Sequence, residues 1–168
     1  MCRCLVYSFI RVVKVGTLLT ALNRFKIDYI NSPLMTTKEE KPGHWVVDQL
    51  DSAGLLVPGM NRLHLDSKYW ACSKKEFEGW IEWDWTNKKR YVSEEYDCDN
   101  FAFSFKARCD RKIGINTVGL VIDYSGGHAY NLVCFTDAPV TLYEPQNDTW
   151  KEKGQSKMYT FTDGYIVL

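Results

Sequence analysis

Apolar residues recur along this chain with two different periods. In "SKKEFEGWIEWDW" Phe77, Trp80 and Ile81 form a stripe at helical spacing, and Ser73 stands three residues before Glu76, the interval of a capping box. In "YDCDNFAFSF" Phe101, Ala102, Phe105 and Cys109 follow Cys98 by three, four, seven and eleven positions, which predicts a second helix burying that face against a sheet. A shorter helix is expected in "WVVDQLDSAGLL", closed near Gly54. The period then changes. "GINTVGLVIDY", "HAYNLVCF" and "VTLYEP" are β-rich runs separated by "SGG" and "TDAP", and they predict a three-strand antiparallel meander. Alternation puts His128, Tyr130 and Leu132 on one face and Leu142, Glu144 and Gln146 on one face of the next strand.

The first 34 residues differ from the rest. They carry five basic residues and one acid, which leaves 16 basic against 20 acidic residues beyond them, a net of −4. Apolar Leu5, Phe9, Val12, Val13 and Leu19 fit one helical face, which Gly16 weakens. Arg11 and Lys14 break the apolar run below the roughly 20 residues of a span and below a signal segment. A helix lying on a membrane surface is one reading. The preferred one is a helix packed on the domain, or an extension upstream of a functional start at Met35. The domain expectation is therefore a leader over 1–41 and one globular domain over 42–168, starting after "EEKPGH", in a cytoplasmic protein.

Composition narrows the function classes. With 21 basic and 21 acidic residues the whole molecule offers no electrostatic footprint for nucleic acid. Six cysteines could staple a small scaffold, but Cys72, Cys98, Cys109 and Cys134 fall in or beside regular elements, so reduced thiols are expected. No cysteine pair has the two-to-four-residue gap of a zinc knuckle. Trp80, Trp83 and Trp85 read as core, with a sugar-stacking platform as the alternative.

Cys98 carries the chemical interest. In the first turn of its helix, unpaired amides and the positive end of the dipole favour a thiolate. Asp97 is placed to cap the helix and Asp99 lies in the first turn, where a carboxylate is favourable. His128 follows Gly126 and Gly127 at the start of a strand. A short turn near Pro139 brings a residue between Tyr143 and Asn147 opposite it. Glu144 is the first choice as its partner, and one register step would substitute Asn147.

"DCDNFA", "GGHAYNLV" and "LYEPQND", in that order, resemble the core of the papain-like and transglutaminase-like cysteine enzymes. The pattern is similar to the papain-like domain at the C-terminus of some fungal agglutinins and related phage and bacterial proteins, and the similarity spans roughly residues 60–150. It implies an α+β, papain-like fold: N-terminal helices, a nucleophile at a helix start, and an antiparallel sheet carrying His and Glu. It implies a triad of Cys98, His128 and Glu144. The agglutinin relatives join this domain to a β-trefoil, absent here because nothing repeats. They can require calcium, for which Asp99, Asp123 and Asp148 are the candidates, although no loop has ordered acidic spacing.

The expected chemistry is thiol-dependent hydrolysis of a peptide or amide bond in a peptide or protein substrate. Cys98 attacks the carbonyl to give an acyl-enzyme, His128 moves the proton and Glu144 orients the imidazole. The Cys98 amide is the natural oxyanion donor, with Tyr91, Tyr96 or Asn100 as the second. "HAY" where transglutaminases often have "HAW" favours hydrolysis over cross-linking. Two alternatives remain: an acyltransferase or peptidoglycan amidase using the same thiol, and a lectin-like module that binds without turnover.

Overall fold

The computed structural model describes residues 33–168 and, before them, Thr20 alone, so the leader helix read from Leu5 to Leu19 lies outside the described residues. Pro33–Leu168 is one compact unit. Its elements are β1 (Glu39–Pro42), α1 (Gly43–Ser52), β2 (Met60–Leu63), β3 (Lys68–Ala71), α2 (Lys74–Trp83), α3 (Cys98–Arg108), β4 (Val118–Asp123), β5 (His128–Val133), β6 (Thr141–Glu144), β7 (Thr149–Lys151) and β8 (Gly164–Val167). β1 is hydrogen-bonded to β3, with Glu39 opposite Ala71, and the compact unit that holds both begins at Pro33.

The helices begin where their caps lie. Ser73 accepts the Glu76 amide at 3.3 Å and starts α2. The box is only half closed, because the Glu76 carboxylate accepts from the amides of Thr36 and Thr37 at 2.9 Å and from both hydroxyls. Partial burial alone would raise Glu76, but these hydrogen bonds hold it down at about 2. Helix α1 ends with Gly54 N donating to Asp51 O and Leu55 N to Leu50 O, the paired bonds of a Schellman motif.

The expected meander is real but forms only the middle of a six-stranded sheet ordered β2-β8-β4-β5-β6-β7. The sheet is also not wholly antiparallel: β2 runs parallel to β8, with Met60 opposite Gly164. The α+β class stands. Alternation sorts the core into two layers. Val121, Tyr130, Leu132, Leu142 and Ile166 face α1 through Val46 and Leu50. Val118, Val133 and Tyr143 face α2 and α3 through Phe77, Trp80 and Phe105, while Leu120 and Ala129 meet Ala102. Phe105 is the pivot of the second layer, its ring 4.6 Å from Tyr143 and 6.1 Å from Phe77. Asn131, wholly buried, ties β5 to α3 and β4 by donating to Ala102 O at 3.0 Å and Gly119 O at 3.2 Å.

The tryptophans resolve as packing. Trp80 is fully buried, Trp83 stacks on it at 4.8 Å, and the Arg108 guanidinium, paired with Asp84, lies over both rings. Trp80 offers no face open to a sugar.

Candidate functional site

The β4–β5 turn fixes His128. Asp123, 1% exposed, closes the end of β4 with four hydrogen bonds. Its Oδ1 accepts from Ser125 Oγ at 2.5 Å and Gly126 N at 2.8 Å; its Oδ2 accepts from Tyr130 Oη at 3.0 Å and Phe161 N at 2.8 Å. Gly126 passes so close to Met158 that a Cβ there would stand 2.4 Å from its carbonyl oxygen, and Gly127 turns with φ +60°. The strand then starts with His128 directly opposite Asp123.

The register brings Glu144 to the imidazole. His128 Nε2 and Glu144 Oε2 are 2.6 Å apart, and the same oxygen accepts Tyr159 Oη at 2.8 Å. Glu144 Oε1 accepts Gln146 N at 3.1 Å. Burial would raise this carboxyl, yet the bonds from His128 and Tyr159 outweigh it and leave Glu144 below its ordinary value. Burial and the same carboxylate push the Tyr159 phenol up. The imidazole sits between the rings of Tyr130 and Tyr159, at 5.7 and 5.6 Å. Tyr159 was not singled out in the sequence; it lies 31 residues beyond His128 in a short 3-10 turn, and no local pattern marks it. Asn147, the alternative partner, accepts instead from the Thr149 hydroxyl.

Cys98 begins α3 with Asp97 as N-cap, and Asn100 Oδ1 accepts the Asp97 amide at 3.0 Å. A hydrogen bond with Asp99 holds Asp97 below the usual carboxylate range, and the same contact raises Asp99. The thiol is partly exposed and packs on Ala102, Leu120 and Ala129. Of the proposed oxyanion donors, Tyr96 donates to Ser104 Oγ at 2.9 Å and packs on Phe101, Asn100 has its carbonyl engaged in the cap, and Tyr91 is half exposed.

The strand pleat decides which groups meet. His128 and Glu144 point to the α1 side with Tyr130 and Leu142, whereas Ala129, against which Cys98 packs, points to the α3 side. The structure thus joins His128, Glu144 and Tyr159, and among the described residues no hydrogen bond links Cys98 to any of them.

The carboxylates expected for calcium do not converge. Asp123 has its four partners, Asp148 accepts from Tyr143 Oη at 2.7 Å and from the Asn87 amide, and Asp99 bonds Asp97. Among the described residues no three His, Cys, Asp or Glu side chains gather where a metal could be held.

A family model described as the ricin-type beta-trefoil lectin C-terminal domain matches residues 46–162. The chain belongs to that family. Its fold is like that of two solved structures. One, a PSL1a-E64 complex, is 22% identical with a TM-score of 0.59, over 77% of this chain and 51% of that one. The other is Polyporus squamosus lectin bound to the human-type influenza-binding epitope Neu5Aca2-6Galb1-4GlcNAc, 21% identical with a TM-score of 0.56, over 80% and 50%. This chain therefore spans about half the length of either. No curated protein matches it.

These findings correct the expectation of an enzyme. The matched family is a lectin domain, not a peptidase, and the likeness in fold is to a lectin; the cysteine peptidase-like hydrolase, with its thiol-protease mechanism, is withdrawn. The expectation rested on the order of Cys98, His128 and Glu144 along the chain, and order alone does not bring a thiol to an imidazole; the structure pairs His128 with Glu144. The papain-like assignment and the peptide substrate rested on the same reading, and the comparisons support the lectin family instead. Among the described residues no helix is long and apolar enough to cross a membrane.

Proposed function

We propose that this domain is a lectin-family binding module that takes a carbohydrate ligand and does not turn it over. The observation that carries the reading is the family match, which runs from α1 through the strands of the sheet to the segment just before β8. Polyporus squamosus lectin was solved with a sialylated trisaccharide, and a glycan is the ligand class that likeness suggests here. In this reading the His128, Glu144 and Tyr159 unit is a buried brace: it fastens the first residue of β5 to the end of β6 and to the turn before β8. Cys98 is then a partly exposed thiol closing the helix end against the sheet.

Titration of the full chain with a panel of free oligosaccharides, including that trisaccharide, by isothermal calorimetry tests this. Saturable binding with the ligand recovered intact is expected. A panel that gives no heat, or a ligand recovered cleaved, contradicts it.

A further inference from the structure

The N-terminus of α2 has a hydroxyl from another segment inside its capping box. In a closed box the Ser73 side chain accepts the Glu76 amide and the Glu76 carboxylate accepts the Ser73 amide. Here the first bond is made, but the Ser73 amide donates at 2.8 Å to Thr37 Oγ1, and that hydroxyl donates in turn at 2.8 Å to Glu76 Oε2. Thr37 therefore stands between two groups of one helix turn that could satisfy each other. The same segment fills the rest of the carboxylate: Thr37 N donates to Oε2 and Thr36 N to Oε1, each at 2.9 Å, and the Thr36 hydroxyl also donates to Oε1.

The other attachments of this segment are slight. Leu34 is 85% exposed, Thr36, Thr37, Glu39 and Glu40 are exposed, and Met35 is only partly buried against the second core layer. β1 pairs with β3 over four residues, and Lys38 Nζ lies 4.8 Å from the centre of the Trp70 ring. The Lys68–Glu40 ion pair is at the surface, where such pairs contribute little. Segments with few buried apolar contacts open at low free energy while the rest of a domain stays folded. The hinge would be Gly43, whose amide donates to Ser67 O at 2.9 Å and fixes the start of α1.

We infer that residues 33–42 form a detachable strap and that α2 has two alternative N-terminal states. With the strap bound, Thr37 bridges Ser73 and Glu76. With the strap released, Glu76 accepts the Ser73 amide directly and the capping box closes. The exchange keeps the Ser73 amide partnered in both states, so opening leaves no orphan donor at the helix start. Opening also bares the edge of β3, from Lys68 to Ala71, that β1 covers.

Hydrogen exchange of the full chain, by mass spectrometry for peptides and by NMR for single amides, tests this. One variant is Thr36→Val with Thr37→Val, which keeps the side-chain shapes and removes both hydroxyls. The other is Glu76→Ala, which removes the acceptor common to both states. Circular dichroism melts check that each is folded, and Thr37→Val alone replaces the double variant if that one is not. Residues 36–42 should exchange about tenfold faster in both variants. The Ser73 amide and the first turn of α2 should stay within about twofold of wild type in the threonine variant and lose protection in Glu76→Ala. Equal loss at Ser73 in both variants overturns the second state of α2. Wild-type protection of residues 36–42 in both variants, or loss that spreads through the sheet together with the strap, overturns the strap itself.

Discussion

His128 Nε2 stands 2.6 Å from Glu144 Oε2, and both side chains are only 4% exposed. A buried carboxylate in this position is supported by three donors, the imidazole, the Tyr159 hydroxyl and the Gln146 amide. Glu144→Gln removes the charge and replaces one acceptor oxygen by a donor. It should lower unfolding stability by about 2–4 kcal/mol, and Tyr159→Phe by about 1–2 kcal/mol, read from denaturant midpoints at constant slope.

The same carboxylate makes stability depend on acid. Its pKa in the folded state lies below that in the unfolded chain, so its contribution is fully present above the ordinary glutamate value of about 4.3 and is lost as pH falls through the folded value. The wild-type protein should lose more stability than Glu144→Gln on acidification across that interval. Parallel pH profiles for the two proteins would remove this role from Glu144.

Cys98 should be the thiol of the described domain that alkylates first. Cys72, Cys109 and Cys134 are buried, and burial pushes Cys72 and Cys134 up to about 12 and Cys109 well above its ordinary value. In a chain with Cys2 and Cys4 changed to Ser, iodoacetamide mass mapping should find Cys98 modified before the others. Because no hydrogen bond ties it to the imidazole, His128→Ala should leave its labelling rate unchanged within about twofold. A large fall in rate would show a coupling that this structure does not contain.

Phe105 packs wholly buried between the sheet and α2. Phe105→Ala should cost about 3–5 kcal/mol, visible as a lowered thermal midpoint. Gly126→Ala tests the turn instead: the added carbon would meet the Met158 carbonyl, and a loss of about 1–3 kcal/mol is expected from the forced shift.

Local signals in the sequence were the dependable ones. The start of α3 after Asp97, the Ser73 cap of α2 and the β4–β5–β6 hairpins all follow from residues close together in the chain, and the structure has each of them. What lay beyond reach needed distant partners. The parallel pairing of β2 with β8 joins residues 104 apart, and neither four-residue strand has a pattern strong enough to announce itself. Glu76 reads as the far end of a capping box until Thr36 and Thr37 arrive from a segment assigned to the leader. The resemblance to the C-terminal domains of agglutinins led to the correct family neighbourhood and to the wrong activity. Cys98 and His128 follow each other as a nucleophile and base would; in the structure the imidazole pairs with Glu144 and the thiol packs on Ala102, Leu120 and Ala129.

The most direct test of the account is calorimetric titration of the full-length chain with Neu5Aca2-6Galb1-4GlcNAc and N-acetyllactosamine, repeated with Cys98→Ala and with the recovered ligand analysed by mass spectrometry. Saturable binding, equal within about twofold in the variant and with the glycan unchanged, is the predicted result. No binding of either sugar, or binding that disappears with the thiol, would contradict a module that holds carbohydrate without using Cys98.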